Sequence, residues 1–150
     1  MSAKFGFGQP NAEFAKGAQK SQNEIHPIEN DYSWKIIGAA VEVQRVLGVG
    51  LLESAYAAAL AIELQACGLS YQREQAIEAI YKGHTLGVAY RADFVVETTV
   101  LVEIKAIETI HETHRAQLLS YLRVSGLRLG LLINFHTFPI TKAIHRVVNN

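Results

Sequence analysis

The apolar positions fall into a helical rhythm, then into alternation, then back to a helical rhythm followed by a solid apolar run. Before them, residues 1–30 mix Gly6, Gly8, Pro10, Gly17 and Pro27 with scattered Phe and polar side chains, and no period of 2 or 3.6 persists. That stretch reads as a flexible N-terminal arm, which leaves 31–150 as one folded domain. From Asp31 or Ser33, either of which can cap a helix, Ile36, Ala40, Val43 and Leu47 recur at helical spacing until Gly48. After Gly48-Val49-Gly50, Leu52, Tyr56, Leu60 and Leu64 form a second stripe running to about Cys67, with Gly68 as the stop. Cys67 itself reads as a small buried hydrophobe.

From Tyr71 the pattern shortens to β-rich runs near Arg73–Tyr81, Leu86–Val96 and Val100–Ala106, separated by turns at Lys82-Gly83 and Glu97-Thr98-Thr99. Thr109-x-x-Glu112 has the form of a capping box and opens a third helix, with Leu118, Leu119 and Leu122 facing a core and Gly126 ending it. Leu127–Phe135 is nearly continuous apolar, as a strand covered on both faces would be. Ile140–Val148 fits helix and strand equally. The order ααβββαβ predicts an α/β (α+β) fold, a mixed sheet flanked by helices, with the strand after the third helix laid parallel to an earlier one.

Composition narrows the function classes. Charges balance at 14 Lys+Arg against 14 Asp+Glu, which argues against coating nucleic acid by bulk electrostatics. The division is uneven, however. Residues 111–150 carry five basic side chains (Arg115, Arg123, Arg128, Lys142, Arg146) against Glu112, a net of +4, so an anionic ligand would favour that part. No apolar stretch is long enough to span a bilayer, no secretory leader is visible, and a single cysteine cannot form an internal disulfide. A reducing cytoplasm is the expected compartment.

The chemistry concentrates in the second and third strands. In an antiparallel pair the numbers of opposed residues have a constant sum, and a turn centred on Thr98 makes it 196, which sets Asp93 opposite Glu103. Opposed Cβ atoms lie about 4.5–5.5 Å apart, so two carboxylates there repel unless positive charge intervenes. Lys105 projects from the same face as Glu103. Two readings follow: a surface hairpin in which Lys105 neutralises both acids, or a cation site. Hard oxygen donors without thiolate or paired imidazole would select Mg²⁺ or Mn²⁺. His111-x-x-His114 lacks a third ligand in reach and makes a poor zinc site.

Asp93, then Glu103-Ile104-Lys105 about ten residues on, followed by Gln117-Leu-Leu-Ser-Tyr121 on a helix, resembles the PD-(D/E)xK nuclease superfamily and the Gln-x-x-x-Tyr element of its RecB-like branch. Gly50-Leu-Leu-Glu53-Ser-Ala-Tyr56 resembles the signature of the small GxxExxY family, whose members also carry YRAD, ExK and QLLSYL segments. The likeness spans about Ile36 to Val148. Here Ala92-Asp93 replaces the Pro-Asp of the superfamily name, and Gln44 stands where that family often has His.

The resemblance implies a restriction-endonuclease-like fold and metal-dependent phosphodiester hydrolysis of nucleic acid, DNA rather than RNA. It implies Asp93, Glu103 and Glu53 as metal ligands, with Lys105 positioning the nucleophile or acting as general base and Gln117 orienting water or phosphate. Read by itself, Glu53 in a helix's first turn is also accounted for by the helix dipole. Tyr121, Tyr56, His114 and Arg115 are the expected substrate contacts. His114, Gln117 and Tyr121 share one polar stripe of the third helix, and Tyr56 reads equally as a core aromatic. A homodimer or a partner protein would enlarge the footprint on a duplex. The competing reading is a nucleic-acid-binding or protein-interaction module that keeps the fold without catalysis.

Overall fold

The structure is a computed structural model that describes residues 31–150; the expected arm at 1–30 lies outside the described residues. Helix α1 (Ser33–Leu47) and helix α2 (Glu53–Ala66) precede strands β1 (Tyr71–Tyr81), β2 (His84–Val96) and β3 (Val100–Lys105). Helix α3 (Glu112–Ser125), strand β4 (Leu129–Asn134), a 3₁₀ turn (Ile140–Ala143) and strand β5 (Ile144–Val148) complete the chain.

The five strands lie in sequence order. Strands β3 and β4 are parallel, as the helical crossover through α3 requires, and the other neighbours are antiparallel. The sheet is covered on both faces. On one, α1 and α2 bring Ile36, Val43, Tyr56, Leu60 and Leu64 onto Phe94, Val102, Ile104, Leu131, Ile133 and Phe135. On the other, Leu118 and Leu122 of α3 cover Ala92, Val95, Leu101 and Leu132. This sandwiching explains why β4 reads as a solid apolar run: all six of its residues are buried.

Several local expectations need correcting. Helix α1 starts at Ser33, and Asp31 supports it from outside by accepting the Ser33 amide at 2.9 Å. Leu52 does not extend the buried stripe of α2. It sits in extended backbone before the first turn and is 77% exposed, while Tyr56, Leu60 and Leu64 are fully buried. Leu47, past the last turn that α2 covers, is also exposed. Cys67 is exposed too, because it follows the last residue of α2, where the chain turns away through Gly68.

The capping box of α3 is also displaced: the helix begins at Glu112, and the His111 amide donates to Nδ1 of His114 at 2.9 Å, so an imidazole does what Thr109 and Glu112 were expected to do. The ambiguous segment Ile140–Val148 resolves into both elements, a short 3₁₀ turn and an edge strand antiparallel to β4.

Candidate active site

Strand β2 is continuous but not uniform. Its pairing with β3 runs Val96↔Val100, Val95↔Leu101 and Phe94↔Val102, a constant sum of 196. The ladder stops there, one step before Asp93 and Glu103. Toward β1 the register passes from Arg73↔Phe94 to Gln75↔Ala92 and skips Glu74 opposite Asp93, and Glu74 has a positive φ of 49°. Alternation slips at the same point, since Ala92 and Val95, three residues apart, pack on one face.

Side chains take over where the backbone ladder ends. Oδ2 of Asp93 accepts the Ile104 amide at 2.7 Å, and Oε1 of Glu103 lies 3.4 Å from the Asp93 amide. The two acids are thereby locked across the strands in the arrangement the constant sum predicts. Each accepts one backbone donor against about four lone-pair sites per carboxylate, so both keep capacity for a further ligand.

The electrostatics of this corner are strained. Burial, and then the Asp93 charge, push the Glu103 carboxyl up to about 8, against weaker relief from the Asp93 amide and from Lys105. Glu53, in the first turn of α2, belongs to the same field. The residue as a whole is exposed, but partial burial of its carboxyl and the Asp93 charge hold it above the usual carboxylate range, while Lys105 pulls it down. Asp93, Glu103, Lys105 and Glu53 therefore converge electrostatically. Asp93 and Glu103 form the tight pair and Glu53 stands further out: among the described residues no three His, Cys, Asp or Glu side chains are gathered closely enough to enclose a metal ion.

Helix α3 contributes Tyr121. Its ring stacks on Tyr90 of β2 with centroids 3.7 Å apart and an interplanar angle of 6°, and the Tyr90 hydroxyl donates to the Tyr121 carbonyl at 3.0 Å. Burial first, then Glu103 and Asp93, raise the Tyr121 phenol, which places it in the field of the carboxylates. Gln117, one turn earlier on the same flank, is exposed.

Two of the other expected contacts, Arg115 and Tyr56, are not brought together with this group. Arg115 lies on the opposite flank of the Leu118–Leu122 stripe, beside His145 of β5, which pairs with Leu132 and so sits two strands from Glu103. His114 spends Nδ1 on the helix cap. Tyr56 is fully buried; its hydroxyl donates to the Gly48 carbonyl at 2.7 Å and accepts the Leu51 amide at 3.2 Å, leaving no face for substrate.

Two buried amides that the sequence reading gave no role frame the site. Asn134, at the end of β4 opposite Lys105, accepts the Ile107 and His136 amides and donates to the Ile107 carbonyl, tying the chain that leaves β3 to the chain that leaves β4. Gln44 reaches from α1 to donate to the Phe135 and Thr137 carbonyls and accept the Ile140 amide. The available signal was a lone amide at a helix face or strand end otherwise filled with apolar residues, which must find partners if buried.

A mixed sheet with helices on both faces and an acid pair with a lysine at the β2–β3 step defines a nuclease-like α+β class of protein. The family model of the PD-(D/E)XK nuclease superfamily matches residues 30–147, and the chain belongs to that superfamily. No curated protein and no solved structure matches it. Nucleases of this superfamily generally use divalent metal ions, and among the described residues no helix is long and apolar enough to cross a membrane.

Proposed function

We propose that the protein hydrolyses phosphodiester bonds of nucleic acid, DNA rather than RNA, with Mg²⁺ or Mn²⁺, as a member of the GxxExxY family within the RecB-like branch. The observation that carries this is the convergence of the Asp93 and Glu103 carboxylates, the second pushed up by burial and by the charge of the first, beside Lys105. The donor set suits a hard divalent cation, because oxygen ligands carrying like charge are relieved by the ion they bind.

Asp93 and Glu103 would hold the ion, with Glu53 completing the set directly or through water. A bound cation of this kind supplies a water of lowered pKa and a counter-charge for the phosphate. Lys105 orients the nucleophile or takes its proton, and steadies charge that develops on the phosphoryl oxygens. Gln117 and Tyr121, on the helix flank whose Tyr121 feels the carboxylates' charge, would orient water or phosphate and offer a ring to a base. Arg115, from the other flank, would serve the nucleic acid backbone further along, in salt-dependent contact. The compartment that fits is a reducing cytoplasm.

Calorimetric titration of Mn²⁺ into wild type and Asp93→Ala, paired with cleavage assays on wild type and Lys105→Ala, tests the reading. The expected outcome is Mn²⁺ binding lost in the first variant and metal-dependent cleavage lost in the second. Equal Mn²⁺ binding by wild type and Asp93→Ala overturns it, and binding of nucleic acid without cleavage in any divalent metal favours a non-catalytic module.

A further inference from the structure

The Gly-x-x-Glu-x-x-Tyr segment contains a local device. Tyr56 is fully buried, yet it keeps a hydroxyl where phenylalanine would fill the same space. A buried hydroxyl must be satisfied, and both of its partners lie in the turn that leads into Glu53: the Gly48 carbonyl at 2.7 Å and the Leu51 amide at 3.2 Å. That turn holds Gly48 and Gly50 at positive φ, 71° and 98°, a backbone conformation that glycine adopts without steric cost.

The Tyr56 ring lies flat on Phe135, with centroids 4.7 Å apart and an angle of 9°. Phe135 in turn is anchored twice. Its amide donates to the Lys105 carbonyl at 2.8 Å, and its carbonyl accepts Nε2 of Gln44 at 3.2 Å. Gln44 closes the circuit, because its own carbonyl accepts the Gly48 amide at 2.8 Å. A continuous path of short contacts therefore runs from Lys105 on the central strand, through Phe135 and Tyr56, to Gly48 and Leu51 in the turn that precedes Glu53.

We propose that Tyr56 is the positioning residue for Glu53, fixing the first turn of α2 against the Lys105 strand so that the Glu53 carboxylate, outside the tight Asp93–Glu103 pair, completes the set on a divalent cation through water. This rests on the metal-site reading above and assigns the tyrosine a task distinct from substrate contact. Groups that orient a ligand without touching the ion typically change metal affinity by about 10–100-fold when removed.

The test is a double-mutant cycle read by Mn²⁺ calorimetry on the full chain: wild type, Glu53→Gln, Tyr56→Phe and the pair, with Asp93→Asn as the site control. Tyr56→Phe keeps the ring and its stack on Phe135. It should bind Mn²⁺ about tenfold more weakly than wild type, Glu53→Gln should lose a similar factor, and the double variant should fall no more than about twofold below Glu53→Gln alone. Phe135→Leu, which loosens the stack while leaving the hydroxyl, should weaken Mn²⁺ by a smaller factor in the same direction. Wild-type affinity in Tyr56→Phe alongside a weakened Glu53→Gln overturns the positioning role while leaving the metal site standing, as does a double variant whose loss is the product of the two singles. Unchanged binding in Asp93→Asn overturns the metal site itself, and this inference with it.

Discussion

The two faces of the sheet are built to different thicknesses. Among the described residues the core against α1 and α2 gathers nineteen buried side chains, whereas the α3 face gathers nine, two of which, Tyr90 and Ala92, lie beside the acid pair. Among the described residues no charged side chain is buried within that thicker layer, although Arg73 lies over its Phe94 ring. On the thin face Glu103 projects in line with Leu101, a half-buried carboxylate where the apolar cover runs out. The difference teaches where this fold can hold an uncompensated acid: next to a layer shallow enough to lower the dielectric without sealing out an ion, on strands kept rigid by the deep layer behind them.

A matched pair of substitutions tests that contrast most strongly. Leu60 on the thick face and Leu122 on the thin face are both fully buried, so Leu→Ala removes the same atoms from each. The cost of such changes spans about 2.7–5.0 kcal/mol depending on how far the site collapses into the space. Leu60→Ala should fall near the top of that range, since α1, α2 and the sheet enclose it. Leu122→Ala should fall near the bottom, about 3 kcal/mol, because a single helix can settle onto the sheet. Urea unfolding of both variants checks this, and equal or inverted costs would break the comparison.

The next effect in size concerns Glu103 and the sign of its pH dependence. With its folded value raised from 4.5 to about 8, the unfolded chain releases this proton first. The stabilisation from the protonated form is therefore complete below about pH 4.5 and is lost as pH rises toward 8. Metal-free protein should lose on the order of 1 kcal/mol or more between pH 5 and 8, Glu103→Gln should flatten that decline, and Mn²⁺ should restore stability to wild type at pH 8. A decline equally steep in Glu103→Gln would place its cause elsewhere.

Much of this contrast can be read from residue order alone. The alternation in β2 and β3 and the turn at Thr98 fixed the register that opposes Asp93 to Glu103, because a period of 2 leaves only one phase that buries Phe94, Val96, Val100 and Val102 together. The solid apolar run of β4 reported burial on both faces, and the helix between β3 and β4 reported their parallel pairing. What could not be read is what depends on groups far apart in sequence. Gln44 and Phe135 are separated by 91 residues, and although a lone amide on an apolar helix face signals a need for partners, nothing local says that these are three backbone groups of the 135–140 segment. Tyr56 carries a motif position whose hydroxyl is held by backbone atoms, which leave no trace in residue identity. The flank of α3 on which Arg115 lies depends on which strand packs beneath it, and β5 emerges from a segment whose pattern suits two conformations.

The smallest predicted effect comes from a carboxylate of the opposite kind. Asp31 stands at the entrance to α1, at the edge of the thick layer, and pairs with Arg146 of β5 at 2.8 Å. Slight burial acts to raise its carboxyl, but hydrogen bonds from Ser33 and the Arg146 charge outweigh it, so the value lies below the usual 3.8. The sign is therefore reversed relative to Glu103: the stabilisation is present above pH 3.8 and disappears as pH falls through the lowered value. Because both partners are substantially exposed, water and salt screen the pair, and Asp31→Asn should cost no more than about 1 kcal/mol at neutral pH in low salt. That cost should shrink at 1 M salt and disappear as the pH falls through the lowered value, which thermal unfolding across a pH and salt grid would resolve. A larger, salt-insensitive cost would mean that the edge of the deep layer also shelters charge, and that depth of cover is not what separates the two acids.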